Sequence, residues 1–129
     1  MGSERQPVAA TIAAVRSALE SAGSIGVIAS DEVAPGLGEA LRAAGVEAGG
    51  PETLGARVTV VPVSAAKGLE YDHVVVVEPA AIVRAEARGL NRLYVAITRA
   101  VSSLRIVHRE PLPPALRRAG PGMSAGSGR

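Results

Sequence analysis

Residues 57–77 read RVTVVPVSAAKGLEYDHVVVV, and this stretch decides the fold. Two runs rich in β-branched residues, Arg57–Val63 and His73–Val77, flank a polar segment that contains Gly68. Neither run alternates apolar with polar side chains, which is typical of strands buried on both faces of a parallel sheet. Pro62 has no backbone N–H, so we expect regular strand pairing to end there.

Helical and strand patterns alternate through the rest of the chain. Apolar residues recur at helical spacing from Pro7 to a stop at Gly23, and again from a Ser30 or Asp31 cap to Gly45. The remaining predictions are strands at Ile25–Ala29 and Ser103–His108, and one helix over 86–101. Residues 45–56 are predicted to form a loop, with a short strand near Val46 as the alternative.

This order of elements predicts a three-layer α/β domain with a mainly parallel sheet and helices on both faces. We assign residues 1–23 to an N-terminal helix, 24–109 to the α/β domain, and 110–129 to a disordered tail rich in Pro, Gly, Ser and Arg. Ligands of parallel sheets bind at the carboxyl ends of the strands, where we expect the turn after Val63 and the last helix to lie.

The composition excludes several classes of protein. The 129 residues fit one domain, and 47% of them are apolar, which is enough for a core. The absence of cysteine excludes disulfides and thiolate metal sites. No apolar run approaches the roughly 20 residues that a bilayer requires, and no secretory signal is visible, so a cytoplasmic protein without membrane contact is expected.

Charge is distributed unevenly along the chain. Residues 1–78 hold five basic and ten acidic residues, a balance of −5, whereas residues 79–129 hold nine arginines and two glutamates, a balance of +7. A basic half favours an anionic partner such as phosphate or nucleic acid. An ordinary arginine-rich surface is the alternative interpretation.

The polar segment Ser64–Asp72, SAAKGLEYD, carries the first candidate site. Lys67 is the only lysine of the chain, Gly68 lets the backbone approach a ligand, and Glu70 follows closely. An ammonium group suits phosphate and a carboxylate suits ribose hydroxyls, so this turn is a candidate nucleotide contact. The alternative is a solvated turn with an accidental Lys–Glu pair.

The segment Leu90–Ala100, LNRLYVAITRA, carries the second candidate site. On a helical projection, Arg88, Arg92 and Arg99 share one face. The opposite, aliphatic face holds Leu90, Leu93, Tyr94, Ile97 and Val101. One of these arginines is a candidate phosphate contact, and the alternative is an amphipathic surface helix.

The sequence lacks a phosphate-binding P-loop, because the single lysine is followed by Gly68 and not by Ser or Thr. Asp31 and Glu32, or Glu78, resemble magnesium-binding carboxylates only weakly. His73 and His108 do not have metal-ligand spacing, so we expect no metal site. The chain alone is therefore not expected to complete an ATP-hydrolysing site.

Together the two segments resemble a known family. VSAAKGLEYDHVVVVEP is similar to motif V of the UvrD/Rep/PcrA class of superfamily I helicases, and RLYVAITRA is similar to their motif VI. The resemblance covers residues 57–109 well and residues 24–48 loosely. It implies the second, C-terminal RecA-like lobe of a P-loop NTPase-type fold, without the P-loop itself.

The resemblance also implies a division of labour around ATP and Mg²⁺. The first lobe, on the same or another chain, would carry the P-loop and the magnesium carboxylates. By the match to motif VI, Arg99 is expected to be the arginine finger. Arg92, on the same predicted helix face, is a further candidate nucleotide contact. By the match to motif V, Glu70 is expected to contact the ribose, and Lys67 with Gly68 to approach the phosphates.

One departure from the family pattern concerns nucleic acid. Helicases of this class usually have Thr-Leu-His where this chain has Pro62, Val63 and Ser64. The missing Thr and His serve the nucleic-acid side of the site, so a helicase-like ATPase that does not unwind DNA is expected. The sequence is most similar to actinobacterial HelD-like factors, which implies DNA or RNA polymerase as partner. A non-catalytic binding module and an unrelated α/β domain are the alternatives.

Overall fold

Five parallel strands form the centre of the domain. The computed structural model of the chain describes residues 2–50, 55–114 and 116. The strands are β1 (Ile25–Ala29), β2 (Ala48–Gly49), β3 (Val58–Pro62), β4 (Tyr71–Val77) and β5 (Ala100–Val107). They lie in the order β2-β3-β1-β4-β5, and every neighbouring pair is parallel.

The predicted three-layer α/β architecture is confirmed. The helices are α1 (Gly2–Leu19), α2 (Ala34–Ala43), α3 (Pro79–Ala85) and α4 (Gly89–Ile97), with a 3₁₀ turn at Val63–Ala65. On one face of the sheet, α1 and α2 bury Val15 and Leu41 against alternate strand residues. On the other face, α3, α4 and the 3₁₀ turn bury Ile82, Leu93 and Val63.

The central strand β1 is buried along its whole length, as its apolar run predicts. Its register places Ile25 between Val58 of β3 and His73 of β4. The valine-rich strands β3 and β4 flank it because their β-branched side chains pack well on a sheet covered on both faces. Pro62 is the last residue of β3, as its missing N–H predicts.

The start of α2 differs from the prediction of a Ser30 or Asp31 side-chain cap. Val33 is the capping residue, and no side chain caps this helix. The backbone carbonyl of Ser30 accepts hydrogen bonds from the N–H groups of Val33 and Ala34 instead. The carboxylate of Asp31 accepts the backbone N–H of Ser64 at 3.1 Å, so it ties two loops together.

The single helix predicted over 86–101 is wrong. Helix α4 ends at Ile97, and residues from Ala100 onward belong to β5. The hydroxyl of Thr98 lies 3.0 and 2.9 Å from the carbonyl oxygens of Tyr94 and Val95, so it satisfies acceptors that continued helix would have used. Ala100 then pairs with Tyr71 in the sheet.

The buried face of α4 also differs from the predicted aliphatic stripe. Gly89, Leu93 and Ala96 are buried, whereas Leu90 and Tyr94 are 53% and 66% exposed. The predicted stripe included Val101, but that residue belongs to β5 and is 65% exposed. Leaving out Val101 does not recover the observed contact face, because Leu90 and Tyr94 are apolar yet exposed, while the small residues Gly89 and Ala96 are buried.

The segment assigned to a disordered tail lies partly outside the described residues, namely at 115 and 117–129. Of the positions that are described, Leu116 is buried and Leu112 packs against the same core cluster. Glu110 accepts two hydrogen bonds from Arg84, at 2.6 and 2.8 Å. These bonds lower the pKa of the Glu110 carboxyl. Packing at these positions therefore extends beyond the predicted boundary at residue 109.

Within the described part of the chain, no helix is both long and apolar enough to cross a bilayer.

Close packing between α3 and α4 yields a first prediction. A side chain at Gly89 would overlap the backbone carbonyl of Val83, which cannot move as a flexible side chain could. We expect Gly89→Ala to lower the free energy of unfolding by about 1–3 kcal/mol, measured by urea denaturation of the chain followed by circular dichroism.

Gly36→Ala is the matched control, because this helical position has open space around an added Cβ. We expect the control to be neutral or to stabilise the chain by up to about 1 kcal/mol. Equal midpoints for the two variants would contradict the described α3–α4 packing.

Candidate functional site

The two candidate segments meet at the amino edge of the sheet, which is the side at which the parallel strands begin. Leu69 and Glu70 directly precede β4, and Thr98 and Arg99 directly precede β5. Because Tyr71 pairs with Ala100, the segments that lead into β4 and β5 end next to each other. The carboxyl edge was predicted instead. That prediction is wrong because the chain after Val63 returns across the sheet before β4 begins.

Two hydrogen bonds join the segments across thirty positions of sequence. The Nη1 of Arg99 donates to the carbonyl oxygen of Leu69 at 3.2 Å. In the other direction, the backbone N–H of Tyr71 donates to the carbonyl oxygen of Arg99 at 3.1 Å. The turn with Gly68 and the arginine of the second segment therefore belong to one local structure.

The guanidinium of Arg99 is half-buried and held by two further acceptors. Its Nε donates to the Val95 carbonyl oxygen at 3.0 Å, and its Nη2 donates to Thr98 Oγ1 at 3.2 Å. A guanidinium carries five N–H donors, so three are used and two are left over. No acceptor for those two is found among the described residues, so this cation is fixed in place and still able to bind an anion.

The turn residues Lys67, Gly68 and Glu70 are exposed to solvent. Gly68 has a φ of +85°, in the left-handed region that favours glycine, and open space surrounds an added Cβ. Within the described residues, neither the Lys67 ammonium nor the Glu70 carboxylate has a hydrogen-bond or ion-pair partner. Glu70 directly precedes β4, and Lys67 lies two residues before Leu69, whose carbonyl accepts from Arg99.

Arg92 and Arg88 are not brought to this turn. Arg92 lies within α4, and its Nε is paired with Glu86 Oε2 at 2.9 Å. Arg88 is the exposed capping residue at the start of the same helix. Since the helix ends before Arg99, the three arginines do not form the helical row that was predicted.

Tyr71 and Gly26 fix the beginning of β4 against the centre of the sheet. The Tyr71 ring packs so closely on β1 that a Cβ at Gly26 would overlap it. Burial raises the pKa of the Tyr71 hydroxyl, and a hydrogen bond with Thr59 opposes that shift. Sequence reasoning did not identify this contact, because only the fold places Gly26 beneath the aromatic ring.

His73 supports the same edge from inside the fold. This side chain is buried, and its Nε2 lies 2.9 Å from the carbonyl oxygen of Ala22. A carbonyl can only accept, so Nε2 is the donor and Nδ1 faces Ser103 Oγ at 2.7 Å. His73 thus joins the start of β4 to β5 and to the loop after α1.

Two carboxylates at the opposite, carboxyl edge, those of Glu78 and Asp31, accept backbone hydrogen bonds. Glu78 is buried with a φ of +52°, and its side chain accepts the backbone N–H groups of Arg109 at 2.9 Å and Glu110 at 3.3 Å. Asp31 is bonded to Ser64, as described above. Among the described residues, no group of three or more His, Asp or Glu side chains is placed to hold a metal ion.

Thr98 is the site residue that the sequence reasoning missed. Its hydroxyl contacts both the end of α4 and the Arg99 guanidinium. A threonine directly before the candidate arginine, at a helix end, is the signal that was available, because Thr hydroxyls commonly bond to nearby backbone carbonyls.

Comparisons with known proteins match the region that holds both segments. The family model of the UvrD-like helicase C-terminal domain matches residues 57–107, which contain both segments. Seven chains of solved structures match the chain. One is the crystal structure of the C-terminal domain of a possible DNA helicase from Lactobacillus plantarum WCFS1. It is 29% identical over 90% of this chain and 73% of that chain, with a TM-score of 0.65. No curated protein matches the chain.

The matched region begins one residue before β3 and ends with β5, so it includes the Leu69 turn, α4 and Arg99. The five-stranded parallel sheet is consistent with a RecA-like lobe. Residues 57–107 are thus similar to the UvrD-like helicase C-terminal domain, and most of the chain is similar in fold to the C-terminal domain of a possible DNA helicase.

Proposed function

We propose that this domain supplies Arg99 as an arginine finger to an ATP site that a separate P-loop lobe completes. The observation that carries the proposal is the attachment of Arg99 to the Leu69 turn, with two guanidinium N–H groups still unused. An anchored guanidinium can meet charge that develops on a phosphate without first having to be ordered.

The residues present fit the outer side of a bound nucleotide but not its primary site. Cationic Lys67 and Arg99 and the carboxylate of Glu70 are at one edge. No Gly-x-x-x-x-Gly-Lys sequence occurs in the chain, and the described residues hold no carboxylate cluster suited to Mg²⁺. Magnesium, when bound by the P-loop lobe, would neutralise charge on the phosphates. The chain alone is expected to show no ATPase activity.

Each residue has a distinct proposed task. Arg99 would donate its free N–H groups to the terminal phosphate, and Lys67 would face the phosphates beside the flexible Gly68. Glu70 would accept hydrogen bonds from the ribose hydroxyls. A contribution from Arg92 would require release from its ion pair with Glu86.

The finger role predicts a large loss of turnover when the guanidinium is removed. In a two-lobe protein, with this chain joined to its P-loop lobe, we expect Arg99→Ala to lower kcat by about 10³-fold or more. Binding of ATP would change little, because the P-loop holds the nucleotide. Arg99→Lys is the matched control for charge alone, and it should recover little activity since it lacks the planar fork. A loss below about tenfold for Arg99→Ala would refute the finger role.

The ribose role of Glu70 predicts an effect on KM. We expect Glu70→Gln to raise the KM for ATP by about tenfold or more with little change in kcat, because a charged hydrogen bond is lost from ground and transition state alike. The preference for ATP over 2′-deoxyATP should fall in parallel. An unchanged preference in steady-state kinetics would remove Glu70 from the ribose site.

We also propose that ATP turnover in this protein is not coupled to strand tracking. The loop at Pro62–Ser64 lacks the Thr and His of strand-tracking relatives, and the carboxylate of Asp31 is bonded to Ser64 there. A negative charge at that position repels nucleic-acid phosphates. A HelD-like ATPase acting on RNA polymerase would fit these features better than a DNA-unwinding enzyme.

This second proposal predicts that single-stranded DNA does not stimulate the ATPase of the two-lobe protein. The assay compares kcat with and without DNA at low ionic strength, where contacts with phosphate are strongest. A UvrD-like enzyme with an intact Thr-Leu-His loop is the positive control. Strong stimulation that disappears as salt rises would contradict the proposal.

A further inference from the structure

We infer that Thr98 is a positioning residue for Arg99, an inference that rests on the proposed finger role. Thr98 is exposed and lies in the turn between α4 and β5. Its hydroxyl is hydrogen-bonded both to the end of α4 and to the Arg99 guanidinium. It therefore holds the guanidinium at a fixed position relative to the helix end.

The hydroxyl of Thr98 acts as donor and acceptor at once. Oγ1 lies 3.0 Å from the Tyr94 carbonyl oxygen and 2.9 Å from the Val95 carbonyl oxygen, so its single proton is directed at the last turn of α4. The lone pairs of Oγ1 therefore remain for the Nη2 of Arg99, at 3.2 Å. The helix end thus fixes the direction in which this acceptor faces.

The third anchor matters because of the planar shape of the guanidinium. The bonds from Nε to Val95 and from Nη1 to Leu69 leave one freedom, namely rotation of the plane about the line that joins them. The bond from Nη2 to Thr98 stops that rotation. The two unused N–H groups then point in fixed directions.

Thr98 differs from the other two anchors in a way that makes it testable. Val95 and Leu69 contribute backbone carbonyls, which persist whatever the side chain. Among the described residues, Thr98 alone contacts this guanidinium through a side-chain acceptor. Thr98→Val removes the acceptor and keeps the β-branched shape, whereas Thr98→Ser keeps the acceptor and serves as the matched control.

The first measurement uses the chain as it stands, without nucleotide. The ¹⁵N guanidinium signals of Arg99 are assigned by their loss in Arg99→Lys. We expect two distinct Nη signals in the native chain and in Thr98→Ser, because both nitrogens are held by different acceptors. In Thr98→Val the two signals should exchange faster and broaden, because one of the two hydrogen bonds that oppose rotation about the Nε–Cζ bond is lost while the bond to Leu69 remains. Exchange as slow in Thr98→Val as in the native chain would overturn the inference.

The second measurement uses steady-state kinetics of the two-lobe protein. We expect Thr98→Val to lower kcat by about tenfold, since misplacement of a catalytic group is costly, with KM for ATP within about twofold. Thr98→Ser should restore turnover. If Thr98 had a purely structural role, Thr98→Val would lower stability without a selective fall in kcat at constant KM. Thermal unfolding of each variant is therefore recorded alongside the kinetics. If Thr98→Val unfolds, Thr98→Ala replaces it in both measurements.

The outcomes distinguish failure of the positioning role of Thr98 from failure of the arginine-finger role of Arg99. If Arg99→Ala lowers kcat but Thr98→Val does not, the finger role stands and the positioning role is wrong. If Arg99→Ala leaves kcat unchanged, the finger role itself fails, and the catalytic effect of Thr98 fails with it.

Discussion

The hydrogen bonds between Arg99 and the segment from Leu69 to Tyr71 are the contact on which the candidate site depends. They join two stretches that are about thirty residues apart, and they use the carbonyl of Leu69 in the turn before β4 and the N–H of Tyr71, the first residue of β4. Both stretches end at the same edge because β4 and β5 are parallel and Tyr71 pairs with Ala100, ahead of a register shift between Tyr71 and His73. Without that pairing, the Arg99 guanidinium and the charged turn before β4 would not lie on the same surface.

The rest of the sheet holds this register. β1 is buried throughout, and Tyr71 packs across it at Gly26, the one strand position there with no Cβ to obstruct the ring. Buried His73 bridges the loop after α1 and the strand β5. The carboxyl edge is closed separately by Glu78 and Asp31, whose carboxylates accept backbone N–H groups. The edge that carries the free charges is therefore distinct from the edge whose acids stabilise the fold.

Much of this arrangement could be predicted from sequence, and the errors have a common physical cause. The run Ile25–Ala29 predicted β1 with its observed bounds, because an uninterrupted apolar run fits a strand covered on both faces. The prediction of one helix over 86–101 was wrong because apolar periodicity does not reveal where a helix ends. It shows neither the hydrogen bonds of the Thr98 hydroxyl to the end of α4 nor the pairing of Ala100 with Tyr71. Periodicity also assigned Leu90 and Tyr94 to the buried face of α4, which the small residues Gly89 and Ala96 share with Leu93 instead. The motifs made Arg99, Lys67 and Glu70 candidates, and their roles stay predictions. The edge of the sheet at which they lie depends on how the chain crosses after Val63, which is a tertiary property.

The most direct test of the central claim is a crystal structure of the two-lobe protein with ADP, Mg²⁺ and a fluoride mimic of the transferred phosphoryl group. We predict that the Arg99 guanidinium lies about 3 Å from the fluoride mimic while it retains its bonds to Leu69 and Thr98. A nucleotide bound at the carboxyl edge, with Arg99 more than about 6 Å from the mimic, would contradict the claim.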